Sequence, residues 1–212
     1  MKIKRLSSYI LQSFGYLAAK IGCLKLFDCL AWMRNQAYTG FYRNSFAHWG
    51  NNSVLNYHAI NLKGLSNISV GDHTVLGSAI QLTTWAKYQE QDFHPHISIG
   101  NHCIIRDGAH ITAINSITIG DNLLTGTNVL ITDNAHGEFT IEQLKLPPIV
   151  RPLHSKGPVV IGNNVWLGNN VCVLPGVTIG DGAVIGANSV VIHDIPPYSM
   201  AAGMPASIIK QL

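Results

Sequence analysis

Charged residues are scarce in this chain of 212 residues, of which only 12% are Asp, Glu, Lys or Arg. The formal net charge is only +3 and no basic run with interleaved aromatic residues occurs, so the sequence argues against a nucleic-acid partner. Hydrophobic residues make up 47% of the chain, which is enough to bury a large core within one domain. Because few charges remain for the surface, we expect part of that surface to be buried between subunits.

Cysteine is rare as well, and its four occurrences form neither a CxxC pair nor the framework of a disulfide-stapled fold. They are Cys23, Cys29, Cys103 and Cys172. The simplest compartment for such a chain is the reducing cytoplasm.

A clean membrane span is also missing, although residues 1–50 differ in composition from the rest. Apolar residues recur there at steps of three and four, at Ile10, Phe14, Leu17, Ile21 and Leu24. This spacing predicts an amphipathic helix, which Leu30 and Met33 could continue. Lys20, Lys25 and Asp28 interrupt the apolar stretch, and no small-residue cleavage site follows it.

What the chain has in abundance is a six-residue repeat between Ile161 and Ile195. Aliphatic residues begin the units at Ile161, Leu167, Val173, Ile179, Ile185 and Val191. Small or β-branched residues follow four places later at Val165, Val171, Val177, Ala183, Ser189 and Ile195. So short a period is neither helical nor the alternation of a simple strand, and it predicts a solenoid.

Each unit fits one flat face of a triangular coil, so that three units make one turn of 18 residues. The aliphatic residue points inwards and stacks on its equivalent 18 positions later, as Ile161 does on Ile179. Gly, Asn and Asp at the following positions suit corners where φ is positive.

The same phase continues upstream, with two extra residues near Asn115 and Ser116 and two longer interruptions. It includes Val70, Leu76, Leu82, Ile99, Ile105, Ile111, Ile119, Thr125 and Ile131. The stretches at about 83–96 and 137–158 break the pattern and are predicted to be loops outside the prism. We therefore divide the chain into a helical and aromatic segment at 1–50, a parallel β-helix at 51–200 and a closing segment at 201–212. The first segment packs over the open end of the solenoid or against a neighbouring subunit, or its basic start lies on an anionic membrane surface.

His136 is the clearest functional candidate, because it ends the last hexapeptide before the long loop. A corner residue there is exposed beside a groove. Histidine is a common general base, which suits this residue type to remove a proton from a hydroxyl that attacks a carbonyl.

Several motifs resemble those of the left-handed β-helix acyltransferases, in the branch of galactoside, maltose and polysaccharide O-acetyltransferases. They are ITIGDN at 117–122, VVIGNNVWLGNN at 159–170, LPGVTIGDGAVIGANSVV at 174–191 and IPPYSMAAGMPASIIK at 195–210. The resemblance covers about half the chain and implies left-handed coils. RPLHSKGP at 151–158 is more similar to members that act on capsule, lipopolysaccharide or exopolysaccharide sugars.

The resemblance implies an acetyl-CoA-dependent O-acetyltransferase that needs no metal, with His136 as general base. It places Trp166 beside the pantetheine arm, although a packed ring at a subunit contact explains this residue too. Small residues would let the cofactor approach the coil edge at Gly168, Gly186, Ala187 and Ala202. Lys210 would bind CoA phosphate, or it is a solvated charge near the chain end.

The resemblance leaves the acceptor side open. Arg106 and Asp107 stand where galactoside-type relatives carry asparagines, so they bind the sugar or simply pair with each other. Asp133, Glu138 or a backbone carbonyl orients His136. The family also implies a cytoplasmic homotrimer with sites between subunits, acting on a bacterial surface polysaccharide or its precursor.

Three other functions compete with O-acetylation. An N-acetyltransferase of a nucleotide-linked amino sugar would use the same base and cofactor. A γ-carbonic-anhydrase-like enzyme would need three converging histidines, for which His94, His96, His102 and His110 are available, but Ile141 stands where the third ligand should follow His136. A solenoid without catalysis is the third.

Overall fold

The computed structural model describes residues 2–20 and 24–212. The helices are α1 (Lys2–Lys20), α2 (Leu24–Tyr42) and α3 (Ile141–Leu144), with 3-10 turns at Arg43–Ser45, Leu65–Asn67 and Pro148–Val150. The first twelve strands are β1 (His48–Trp49), β2 (Val54–Leu55), β3 (Asn61–Lys63), β4 (Ile68–Val70), β5 (Val75–Leu76), β6 (Gln81–Thr84), β7 (Lys87–Tyr88), β8 (Gln91–Asp92), β9 (His96–Ile99), β10 (Ile104–Ile105), β11 (His110–Ala113) and β12 (Ser116–Ile119). The last twelve are β13 (Leu124–Thr125), β14 (Leu130–Thr132), β15 (Ala135–His136), β16 (Leu153–His154), β17 (Val159–Ile161), β18 (Trp166–Leu167), β19 (Cys172–Val173), β20 (Thr178–Ile179), β21 (Val184–Ile185), β22 (Val190–Val191), β23 (Ser199–Gly203) and β24 (Ala206–Gln211).

Three sheets form the faces of a triangular prism. Face one has the order β1-β4-β9-β12-β17-β20, face two β2-β5-β10-β13-β18-β21-β23-β24, and face three β22-β19-β14-β11-β6-β3. Every pairing in these sheets is parallel except the closing hairpin β23–β24. Successive strands of the chain belong to successive faces, so the predicted left-handed parallel β-helix is confirmed.

The core of the prism is built from the predicted register. Ile119 pairs with Ile99 on one side and Ile161 on the other, and Ile161 pairs in turn with Ile179. All predicted inward positions from Val70 to Val191 are buried, including Thr125, whose hydroxyl donates to the Gly126 carbonyl at 2.8 Å. One aliphatic side chain per face in each coil therefore stacks into a continuous apolar column.

The corners use left-handed backbone conformations, as the Asn and Gly content predicts. Asn164, Asn170 and Asn188 have φ of 56°, 56° and 59°. Asn tolerates this region because its short polar side chain can bond locally. Here the side chains also bond from coil to coil, since the amide of Asn170 donates to Asn188 Oδ1 at 2.9 Å.

The first coil begins earlier than the sequence pattern indicates. Trp49, Leu55 and Leu62 pair with Val70, Leu76 and Leu82, so they occupy the inward positions of a turn that starts at β1. The pattern fades in the sequence because a large aromatic ring fills the first position and an extra residue separates the second from the third.

Residues 2–20 and 24–42 are helical, as the apolar spacing predicts, while Ile21 and Cys23 lie outside the described residues. The second half of α2 packs on the first coil, where the Thr39 hydroxyl accepts from Leu55 N at 2.9 Å and the Tyr38 hydroxyl from Ala59 N at 3.0 Å. Phe14 on α1 is 72% exposed. Neither helix is long and apolar enough to span a membrane within the part of the chain that is described.

Two excursions leave the prism between faces three and one. The first excursion, residues 85–95, is the hairpin β7–β8. The second excursion, residues 133–158, contains α3 and the antiparallel pair β15–β16. They are bonded to each other, because the Gln91 side chain accepts from Leu153 N at 2.7 Å and donates to Leu153 O at 3.2 Å.

Candidate functional site

His136 lies on β15, at the start of the second excursion, and is exposed. It pairs with Leu153 in the antiparallel register of β15 and β16. Gly137 follows with φ of 86°, a left-handed conformation that only glycine adopts without strain, and its N–H donates to Pro152 O at 2.8 Å. The local backbone is therefore fixed on both sides of the imidazole.

Tyr88 from the first excursion contacts His136. Its hydroxyl donates to the Ile149 carbonyl at 2.5 Å and lies 3.5 Å from His136 Nδ1, with the two rings nearly perpendicular at 70°. A tyrosine hydroxyl has one proton. Since that proton points to Ile149, a hydrogen bond between Tyr88 and His136 requires Nδ1–H as donor, which leaves the Nε2 lone pair available.

A cavity of about 310 Å³ opens beside His136, between face three and the two excursions, and most of the residues that line it carry polar groups, although its exposed surface is mainly apolar. Its lining residues are Asn61, Gln81, Thr83, Trp85, Tyr88, His110, Thr112, Asn134, His136, Ile149 and Leu153. We call it the polar cavity. Burial lowers the pKa of His110 below that of an exposed histidine, which favours the neutral form of this second imidazole.

A second cavity of about 350 Å³ lies on the other side of β15 and is mostly apolar. Ala135 and Gly137 line it, whereas His136 between them lines the polar cavity. Leu174 and Ile192 from the following coils form much of its wall. The strand that carries His136 therefore lies between a cavity lined mainly by polar residues and a cavity lined mainly by apolar residues.

Neither acidic residue predicted to orient His136 does so within the described chain. The buried Asp133 carboxylate accepts from Ile114 N at 2.9 Å and Asn115 N at 2.8 Å, at the corner where two extra residues interrupt the repeat. Glu138 pairs with His154 Nδ1 at 3.0 Å. Asp133 anchors the base of the excursion, and Glu138 ties β15 to β16.

The outer surface of face two is an apolar row. In register along the strands it consists of Val54, Val75, Ile104, Leu124, Trp166, Val184 and Met200. The corresponding row on face one consists of His48, Ser69, Ser98, Thr118, Val160 and Thr178. Trp166 is 52% exposed and Leu124 is 42% exposed, so face two presents a continuous apolar stripe that face one lacks.

Trp166 and Lys210 belong to the same row. Trp166 pairs with Val184, Val184 with Met200, and Met200 with the exposed Lys210 on the closing hairpin. Three steps between neighbouring strands correspond to about 14 Å. The row therefore ends in a cation beyond an apolar stretch.

The predicted small residues lie together at the edge between faces two and three. A Cβ on Gly168 would lie 2.5 Å from Ala187 N, and one on Gly186 would lie 2.8 Å from the Ala202 Cβ. Close stacking of the coils thus explains both glycines by itself. The exposed backbone that results is a narrow edge along which an elongated ligand can lie.

Arg106 and Asp107 are exposed at that same edge and do not line the cavity of His136 in this chain. The Asp107 carboxylate accepts from Ser78 N at 2.8 Å, so the Arg106–Asp107 ion pair suggested by the sequence does not form. The carboxylate supports the corner of the preceding coil instead.

The histidines that the sequence offers as metal ligands do not gather at one point of the described chain. His102 stacks on His73 with ring centroids 4.9 Å apart, at the edge between faces one and two, whereas His110 lines the polar cavity. Across residues 2–20 and 24–212, no three His, Cys, Asp or Glu side chains form a group suited to a metal.

The sequence did not indicate Tyr88, Gln81 or Asn61 as site residues, and it indicated His110 only as a candidate metal ligand. Tyr88 lies in an irregular stretch with no motif. The other three are outward positions of face three, and their signal is that a polar residue recurs beside the inward Leu62, Leu82 and Ile111 of three successive coils.

Comparison with known proteins agrees with this architecture. The bacterial transferase hexapeptide pattern of six repeats matches residues 158–193. A hexapeptide-repeat-containing acetyltransferase from Vibrio cholerae, solved with acetyl coenzyme A, superposes with a TM-score of 0.58 at 25% identity, over 94% of this chain and 89% of that one.

Two curated relatives from Escherichia coli match about half of the chain. One, provisionally named lipopolysaccharide biosynthesis O-acetyl transferase WbbJ, is 49% identical over 111 residues, covering 50% of this chain and 56% of its own. Galactoside O-acetyltransferase is 38% identical over 122 residues, 55% of each chain. The chain thus spans about half the length of these relatives, and the predicted resemblance to hexapeptide O-acetyltransferases is confirmed.

Proposed function

We propose that this hexapeptide-repeat protein transfers an acetyl group from acetyl-CoA to a sugar hydroxyl, with His136 as general base. The acceptor would belong to a bacterial surface polysaccharide or its precursor. The observation that carries the proposal is the position of His136 on β15, between a polar cavity suited to hydroxyl groups and an apolar one. Its similarity to O-acetyltransferases supports the choice of reaction.

The proton steps follow from the hydrogen bonds around His136. Tyr88 favours the tautomer protonated at Nδ1, so Nε2 takes the proton of the acceptor hydroxyl as its oxygen attacks the thioester carbonyl. Backbone N–H groups at a coil corner would stabilise the tetrahedral oxyanion. When the C–S bond breaks, the CoA thiolate leaves and receives the proton from the imidazolium. No enzyme nucleophile is required, because a thioester is already an activated acyl donor.

CoA fits the outer row of face two. Its pantetheine arm would lie along Trp166 and the edge formed by Gly168, Gly186, Ala187 and Ala202. Lys210 stands at the far end of the row, where an ammonium would meet the CoA phosphates. The order of the groups matches on the two molecules. In CoA the pantetheine arm is followed by phosphates, and on face two the apolar row is followed by the Lys210 ammonium.

The active form would be a homotrimer with sites in clefts between prisms. An exposed apolar stripe the length of face two is unusual on a monomer and marks an interaction surface. Trp166 lies on face two, whereas His136 lies on an excursion that leaves the prism between faces three and one, so a neighbouring copy would supply one of them to a shared site. Arg106 and Asp107 would reach an acceptor in the same way, from the neighbour.

The N-terminal helices would associate peripherally with the cytoplasmic face of the membrane. Residues 1–50 contain seven Lys and Arg but only one acidic residue, Asp28. Phe14 is 72% exposed, Phe27 61% and Trp32 62%, so aromatic side chains accompany the positive charge. Anionic lipid attracts such a combination. Co-sedimentation with phosphatidylglycerol vesicles but not with phosphatidylcholine vesicles tests this part.

Calorimetric titration with CoA and acetyl-CoA tests the proposal without knowledge of the acceptor. We expect about one site per chain. If neither ligand binds at millimolar concentration, the transferase assignment is wrong. Once an acceptor is found, mild alkali distinguishes the two acyl products, because an O-acetyl ester is released and an N-acetyl amide resists.

A further inference from the structure

Three hydrogen-bonding side chains form a ladder on the outer surface of face three. Asn61, Gln81 and His110 stand side by side in the parallel register of β3, β6 and β11. Neighbouring strands are about 4.8 Å apart, so the ladder is about 10 Å long. The same row continues as Leu130, Cys172 and Val190, which are less polar. The polar half of face three therefore coincides with the polar cavity beside His136.

The groups of the ladder are available to a ligand. The Asn61 and Gln81 amides and the His110 imidazole have no partner of their own among residues 2–20 and 24–212. Gln81 and His110 are half-buried. A half-buried polar group without a partner loses hydrogen bonds to water and gains when a ligand supplies one.

No Asp, Glu, Lys or Arg side chain lines the polar cavity. Burial also lowers the pKa of the half-buried His110, which favours the neutral imidazole. The Lys63 ammonium lies 3.2 Å from the centre of the Trp85 ring and does not line the cavity. A carboxylate or phosphate placed there would be desolvated without a paired cation, which is costly.

The walls and the size of the polar cavity fit one sugar ring. Trp85 and Tyr88, with ring centroids 6.3 Å apart at 78°, provide apolar surface for the C–H face of a pyranose. The ladder faces its hydroxyl rim. At about 310 Å³ the cavity is at the lower end of the range of about 300–1,000 Å³ for small-molecule sites.

We propose that the ladder of Asn61, Gln81 and His110 binds an uncharged hexopyranosyl residue and selects it over uronic acids and phosphorylated sugars. The inference rests on the proposed function, since the bound sugar is the acceptor. It names the residues that determine specificity. They lie on the rigid prism, whereas His136 lies on an excursion.

Saturation-transfer NMR and calorimetric titration in the presence of CoA test this proposal. The probes are the methyl glycosides of glucose, galactose and mannose, each compared with its uronic acid counterpart. We expect at least one neutral glycoside to bind more tightly than its uronate. Gln81→Ala should weaken that binding by about two- to tenfold, the range of one neutral hydrogen bond. Gln36→Ala, on the exposed side of α2, is the matched control and should change nothing.

The outcomes separate the two proposals. If CoA binds but the uronates bind as tightly as the neutral glycosides, or if no glycoside binds, the neutral-sugar site is wrong and the transferase assignment stands. Equal affinity of the native protein and Gln81→Ala for the neutral glycoside would also overturn it. Failure of CoA itself to bind is read from the separate CoA titration, and it concerns only the proposed function.

Discussion

The regular coils from 159 to 195 and the second excursion, residues 133–158, are adjacent in the chain. They differ in periodicity and in the burial of their side chains. In the coils, each sixth side chain is buried and the outer row of face two is apolar. In the excursion no period holds, Phe139 is 93% exposed, and the segment carries His136. In the proposed function, the repeat accounts for stability and assembly, and the interruption of the repeat carries the chemistry. Substitutions in the coils should therefore change stability or assembly, and substitutions in the excursion should change catalysis without changing stability.

The largest effect should come from a charge on the outer row of face two. In Leu124→Asp, a carboxylate would be buried without a partner in the assembly, which costs several kcal/mol and should abolish the oligomer at micromolar concentration. Thr118→Asp, exposed on face one of the same coil, is the matched control and should leave the assembly intact. Sedimentation velocity measures both. A native protein that is monomeric at micromolar concentration would rule out the trimer.

Removal of an inward side chain should lower the free energy of unfolding without changing the surface through which the subunits associate. Ile119 is 2% exposed and stacks between Ile99 and Ile161, so Ile119→Ala should cost about 2–5 kcal/mol. Thr118→Ala, the adjacent outward residue, should cost less than about 1 kcal/mol. Urea unfolding at one fixed protein concentration compares them. Equal losses would mean that the column of aliphatic side chains is not the main source of stability.

His136→Ala should show the opposite behaviour, with chemistry lost and stability kept. We expect kcat to fall by about a hundredfold or more, the usual contribution of a positioned general base. The affinity for CoA and the urea midpoint should be unchanged, because the His136 side chain is exposed. His48→Ala, exposed on face one, is the control. Turnover close to that of the native protein would remove His136 from the mechanism.

The sequence determines the coils because each unit repeats the same physical requirement. Ile161, Ile179 and the other inward residues can be read directly, since one aliphatic side chain must fill each face of each coil. The first coil could not be recognised from the repeat, because Trp49 takes the place of an aliphatic residue.

The contacts of His136 could not be predicted, because they join segments far apart in the chain. Tyr88 and Ile149 are 61 residues apart, and their hydrogen bond depends on how the two excursions fold against each other. Proximity in sequence suggested Asp133 and Glu138 instead. Both have structural partners, Asp133 with the backbone at 114–115 and Glu138 with His154.

The smallest effect should come from the Tyr88 hydroxyl, which we regard as a positioning group for His136. Tyr88→Phe removes the oxygen that favours Nδ1–H, so kcat should fall about tenfold, equivalent to one hydrogen bond of about 1.4 kcal/mol. The KM for acetyl-CoA should stay the same. The nitrogen-15 shifts of the His136 ring should move towards the mixture of tautomers of a free imidazole.

Loss of a tether between the two excursions would also lower kcat, and a second variant separates this explanation from a direct action of the hydroxyl on His136. Gln89 Nε2 also donates to the Ile149 carbonyl, at 2.9 Å, and its φ of 53° suits glycine. Gln89→Gly therefore loosens the same contact and leaves the Tyr88 oxygen in place. If it reproduces both the loss of kcat and the nitrogen-15 shifts of Tyr88→Phe, then Tyr88 only holds the two excursions together. If only Tyr88→Phe changes the tautomer, the hydroxyl acts directly on the base, and chemistry in this protein depends on a contact that the repeat does not encode.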